Sequence, residues 1–77
     1  MHVGKRIKEI RQESGVMAKH VARKAGISLW YLSMIENGKR VPSLEKLEAI
    51  ADVLGVDVAR FFLAHEVSEM LNKGQAR

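Results

Sequence analysis

Residues 22–42 read A-R-K-A-G-I-S-L-W-Y-L-S-M-I-E-N-G-K-R-V-P, and this run decides the fold. Gly26 is a helix stop, and Ser28 two residues later is an N-cap for the next helix. Gly38 closes that second helix after Asn37, and Pro42 biases Val41 away from helical geometry, so Lys39-Arg40-Val41-Pro42 reads as a loop. The signals therefore predict a helix over about 18–25, a tight turn, and a second short helix from Ser28 to Asn37. That is the outline of a helix-turn-helix, a motif whose second helix lies against DNA.

Working outward, period 3.6 dominates and no stretch alternates as a strand would. Val3, Ile7 and Ile10 form one stripe of a first helix from Val3 to Ser14, stopped by Gly15. The helix over 18–25 presents Val21, Ala22 and Ala25 inward. Ser43 caps a fourth helix with the stripe Leu44, Leu47, Ile50, Ala51 and Leu54, terminated by Gly55. Asp57 caps a fifth containing Val58, Phe61 and Phe62. Leu63, Val67, Met70 and Leu71 then recur at i, i+4, i+7 and i+8, with Glu66 and Glu69 on the wet side. This tail reads as a continuation of the last helix. Packing on its own domain and packing on a second copy are both open, and we favour the second, as a dimerisation element, because the domain is complete by Phe62. Beyond Asn72 the chain turns small and polar, and fraying is expected.

A chain of 77 residues has room for one small domain with a marginal core, which dimerisation would help. It has no cysteine, so it can form no disulfide or thiolate metal site, which suits a reducing compartment. No apolar run reaches membrane-spanning length, and the start at Met1-His2-Val3-Gly4-Lys5 lacks a signal-peptide core; the expectation is a cytoplasmic protein with no membrane partner. Charge is uneven. Residues 1–40 hold nine Lys/Arg against three acids, +6, and residues 41–77 hold four against six, −2. A basic first half fits a phosphate-facing surface. His2, His20 and His65 are too scattered for a shared site, no serine sits in a G-x-S-x-G elbow, and no glycine-rich loop could cradle a nucleotide. These absences argue against an enzyme, a metal, a cofactor or a small-molecule ligand.

Several spaced blocks carry a resemblance. Arg11…Gly15, Ala22-x-x-x-Gly26-Ile27-Ser28, Tyr31-Leu32-Ser33-x-Ile35-Glu36-x-Gly38, Pro42-Ser43-Leu44 and Ala51-Asp52-Val53-Leu54-Gly55-Val56 occur in that order. From Gly4 to about Phe62 the chain resembles the Cro/CI-type (Xre) family of helix-turn-helix regulators. The resemblance implies an all-α, five-helix, phage-repressor-like DNA-binding domain over residues 1–63, with its helix-turn-helix at about 18–37 and a helical tail over 64–77. It further implies an ion pair between Arg11 and Glu36, linking the first and third helices. It puts base-reading side chains at Leu29, Trp30, Ser33 and Met34; the candidate DNA backbone contacts beside them are Lys19, Ser28, Tyr31, Asn37, Lys39 and Arg40, the last two by their place directly after the second helix of the motif. The chain departs from the family at the start of the second helix. Relatives usually place Ser or Thr followed by Gln there, and Met17-Ala18 can supply neither that cap nor that contact.

On a helical wheel, Ser28, Tyr31, Leu32 and Ile35 share one arc, toward the core, while Leu29, Trp30, Ser33, Met34 and Asn37 share the other. Readers of base edges are commonly polar, yet this outward face is largely apolar. Three readings stand open. Leu29, Trp30 and Met34 touch thymine methyl groups, with Ser33 adding a hydrogen bond and phosphate contacts supplying affinity. Alternatively, exposed Leu, Trp and Met form a docking patch for a protein partner, as in an antitoxin. In the third reading the tail folds back over the patch, or the helical register differs. The first leads to a homodimeric regulator, of repressor type, on a pseudo-palindromic operator in double-stranded DNA. With no room for an effector domain, control would come from concentration, a protein partner or competition for overlapping sites. Phage or plasmid repressors, controllers of restriction–modification genes and antitoxins all fit such a chain.

Overall fold

The structure is a computed structural model and describes residues 3–62. Over that range the chain forms helices α1 (Val3–Glu13), α2 (Ala18–Ala25), α3 (Leu29–Glu36) and α4 (Leu44–Leu54), followed by a 3-10 turn at Val58–Phe61. No strand occurs among the described residues.

Each element contributes its apolar stripe to one core. Val3, Ile7 and Ile10 come from α1, Val21 and Ala22 from α2, Leu32 and Ile35 from α3, Leu47, Ile50 and Ala51 from α4, and Phe61 from the 3-10 turn. Among the described residues no polar or charged residue belongs to the fully buried set. The helix ends follow local chemistry. The Ser28 hydroxyl accepts from the Tyr31 backbone N–H at 3.0 Å, and the Ser43 hydroxyl accepts from Lys46 N–H at 3.2 Å. Between α2 and α3 the chain reverses at Gly26, whose φ of 75° places it in the left-handed region. Its N–H donates to Arg23 O at 3.3 Å and the Ile27 N–H to Ala22 O at 2.9 Å, closing α2 and aiming the chain into α3.

Three expectations need correction. Leu44 is 61% exposed and lies outside the core stripe, which begins at Leu47. It is the first residue of α4, and helical side chains lean toward the N-terminus, so its side chain projects past the end of the packed layer. The fifth helix is a single 3-10 turn. Asp57 caps it, accepting from Ala59 N–H at 2.8 Å, and Arg60 N–H bonds back three residues to Asp57 O at 2.9 Å. Ser28 sits on the exposed end of α3 as its cap and faces away from the core. Two boundaries also tighten by a residue, with Ser14 and Asn37 falling just outside α1 and α3. The tail positions Leu63, Val67, Met70 and Leu71 lie outside the described residues.

Candidate nucleic-acid interface

Two contacts fix how α3 is held. Gly4 of α1 lies against the backbone of Ile35, and a Cβ at residue 4 would collide with the Ile35 carbonyl oxygen. Beside it, Arg11 and Glu36 form a two-pronged ion pair. Arg11 Nε donates to Glu36 Oε2 at 2.8 Å, and a second guanidinium nitrogen donates to Oε1 at 3.0 Å. The remaining prong donates to the Val16 carbonyl at 3.0 Å, tying in the loop between α1 and α2. The side chains are 12% and 7% exposed, so the pair is largely removed from water. The hydrogen bond to Glu36 raises the Arg11 pKa above its ordinary value, against the opposing effect of burial.

With Leu32 and Ile35 fully buried and Glu36 turned to Arg11, α3 presents the side that carries Leu29, Trp30 and Ser33 outward. Leu29 is 51% and Trp30 60% exposed, Ser33 is exposed, and Met34 and Tyr31 are half-buried. Six of the eight residues of α3 are apolar or aromatic, so the helix is hydrophobic nearly all round while only one side is covered. Ser33 is partnered within the face: Asn37 Nδ2 donates to its hydroxyl oxygen at 3.4 Å. Exposed basic residues lie on α2 and on the loop beyond α3. Lys19 is exposed in the first turn of α2, and Lys39 and Arg40 are exposed on the loop beyond α3. The loop doubles back: Lys39 N–H donates to Met34 O at 2.8 Å and Arg40 N–H to the same oxygen at 3.3 Å. The Arg40 guanidinium lies 5.7 Å from the centre of the Trp30 ring, a cation–π contact. Ring and cation stand ten positions apart, and the only sequence sign of the meeting is the Asn37-Gly38 turn that reverses the chain.

The start of α2 has no side-chain cap. Met17 occupies the capping position with extended backbone, φ −76° and ψ 144°, and makes no side-chain hydrogen bond. Among the described residues no three His, Cys, Asp or Glu side chains group so as to hold a metal ion, and no helix is long and apolar enough to cross a membrane.

A helix-turn-helix family model matches residues 7–61, from within α1 to the end of the 3-10 turn. The chain belongs to the Cro/CI-type (Xre) helix-turn-helix family. The family consists of DNA-binding transcriptional regulators. It is 43% identical over 58 residues to the transcriptional regulator DdrOP3 of Deinococcus deserti, covering 75% of this chain and 45% of that protein. To the immunity repressor of Bacillus phage phi105 it is 46% identical over 59 residues, covering 77% and 41%. The chain thus spans under half the length of these two relatives. Among solved structures it superimposes on SinR, described as the master regulator for biofilm formation, in complex with DNA. That match has a TM-score of 0.72 and 40% identity, over 77% of this chain and 95% of that one. A second SinR structure, in complex with SinI protein, matches with a TM-score of 0.72 and 32% identity, over 96% and 79%.

Proposed function

We propose that this Xre-family chain is a sequence-specific DNA-binding regulator of repressor type, and that α3 enters the major groove with Leu29, Trp30, Ser33 and Met34 toward the base edges. The observation that carries this reading is the uncovered face of α3, set in a helix-turn-helix frame, with Lys39 and Arg40 on the loop that folds back onto it. The DNA complex of SinR, at 40% identity, supports it. On this reading the apolar side chains contact thymine methyl groups and Ser33 offers its hydroxyl. Lys19, Ser28, Tyr31, Asn37 and Lys39 contact phosphates, which position the helix without reading sequence. The chain works as a homodimer, placing two copies of α3 in successive major grooves about 34 Å apart on a pseudo-palindromic operator. The tail residues Leu63, Val67, Met70 and Leu71 contribute to pairing.

Trp30, the only tryptophan, makes the test direct. Its fluorescence is expected to change on titration with duplex from a pool selected on the protein. Apparent affinity should fall about a thousandfold between 50 and 200 mM salt if a dimer makes six or more phosphate contacts. Lys19→Ala with Lys39→Ala should flatten that salt dependence. A Trp30 signal unmoved by every duplex, at any salt, removes the reading. Sedimentation of the chain ended after Phe62 tests pairing, since undiminished dimerisation takes the tail out of the interface.

A second reading is supported by the same exposed Leu29 and Trp30, together with the SinR structure that contains SinI. A protein partner would cover the apolar face of α3, and DNA and partner would then compete for Trp30.

A further inference from the structure

Arg40 has two tethers. Its backbone N–H reaches Met34 O at 3.3 Å, and its guanidinium lies over the ring of Trp30 at 5.7 Å. Trp30 and Met34 are one helical turn apart, on the same row of the uncovered face of α3. The loop that carries Arg40 is fixed beyond it by Pro42, which is buried, and before it by Gly38 N–H donating to Ile35 O at 3.0 Å. Neither ion pair among the described residues involves Arg40, so its N–H groups are not spent on a carboxylate. The arginine, although placed by sequence on a loop after α3, is thereby carried on the face of α3 itself.

We infer that Arg40 is a base-reading residue that recognises guanine, and that Trp30 is the residue that positions it. This rests on the proposed entry of α3 into the major groove. A guanidinium held near an aromatic face by cation–π attraction gives up none of its N–H groups to that contact, so Arg40 keeps its planar fork of donors available. That edge matches the two acceptors, N7 and O6, that guanine presents in the major groove, the commonest specific arginine contact. Phosphate can be held by a point charge on a flexible stem, as lysine holds it, and so does not require a guanidinium fixed beside an aromatic ring. The structure thus moves Arg40 from the backbone contacts suggested by its place in the sequence to the group that specifies the operator. It also gives Trp30 a second task besides touching a thymine methyl. The otherwise apolar reading face gains the bidentate donor that it lacks.

Selection from a pool of random duplexes tests this, run in parallel on the wild type and on the Arg40→Ala, Arg40→Lys and Trp30→Ala variants. Circular dichroism confirms that each is folded, as exposed sites allow. Wild type should enrich a half-site containing a guanine that Arg40→Ala no longer selects, the other positions being kept. Trp30→Ala should lose that guanine as well, along with any preference of its own. Arg40→Lys should keep affinity for mixed-sequence duplex but select the guanine more weakly. Replacing the guanine by 7-deazaguanine, which lacks N7, should weaken wild type about tenfold and leave Arg40→Ala unchanged. If Arg40→Ala selects the wild-type sequence with uniformly lower affinity, Arg40 is a phosphate contact and the inference fails while the DNA-binding reading stands. If Arg40→Ala alone loses the guanine and Trp30→Ala keeps it, the positioning role fails. A wild-type protein that enriches no sequence overturns both the inference and the reading beneath it.

Discussion

Gly4 puts two physical effects in opposition. It lies inside α1, where glycine costs about 1 kcal/mol of helix stability relative to alanine, so propensity alone makes Gly4→Ala stabilising. The collision of a new Cβ with the Ile35 carbonyl says the reverse, because that atom belongs to a backbone packed on fully buried neighbours. We expect the collision to win, and Gly4→Ala to lower stability by about 2 kcal/mol in urea unfolding. An unchanged or raised midpoint would show that α1 can shift cheaply. Glu36 sets a second case. Removing it leaves the Arg11 guanidinium, 12% exposed, with only the Val16 carbonyl. Glu36→Ala should cost about 3–5 kcal/mol, whereas replacing both partners by apolar residues of similar size should cost much less. Because the Arg11 pKa is raised, its contribution is complete below the ordinary arginine range and fades only above it. Stability should therefore show no Arg11 step around neutral pH. The pair spans 25 positions, and its only local trace is that each member follows a buried isoleucine, Ile10 or Ile35.

At the scale of elements, α2 is the helix that starts on a residue unable to cap it. Its cap position holds Met17, 61% exposed, and none of its first N–H groups meets a side-chain acceptor. Met17→Ser keeps the extended backbone that a cap requires and gives up little burial. It should add about 1 kcal/mol, raising the melting temperature by about 4 °C in a domain of this size. A fall would mean that Met17 packs more than its exposure implies. The missing cap was legible at once in the sequence, since capping is a matter of one side chain and its near neighbours. Helix bounds were similarly legible at Gly26, Ser28, Ser43 and Gly55, where the signal is local. Leu44 misled because periodicity assigns a residue to a face but does not say where along the helix the packed layer begins. The 3-10 turn at Val58–Phe61 misled for a related reason. Apolar spacing over four residues fits either helix type, and what defines the tighter one is the pair of three-residue backbone bonds, Arg60 N–H to Asp57 O and Phe62 N–H to Ala59 O.

For the molecule as a whole, what the sequence could show of the uncovered face of α3 was its composition, not its assembly. Leu29 and Trp30 are exposed as helical phase requires, but the approach of Arg40 to Trp30 depends on a loop that folds back on Met34, which no periodicity encodes. The holding of α3 has one more consequence. Its C-terminal half is clamped by Gly4 and by Arg11, its buried side is fixed by Leu32 and Ile35, and its first turn is tied by Ser28. Such a helix has little freedom to tilt or flex to suit the groove it meets. On the proposed function, the duplex becomes the softer of the two bodies and bears the adjustment. Base pairs that no side chain reaches would then matter through their stiffness. Exchanging a flexible pyrimidine–purine step between half-sites for a stiff A-tract should change affinity by an amount that tracks bending energy, on the order of 1 kcal/mol or more. Affinity indifferent to those base pairs would place the compliance in the protein after all.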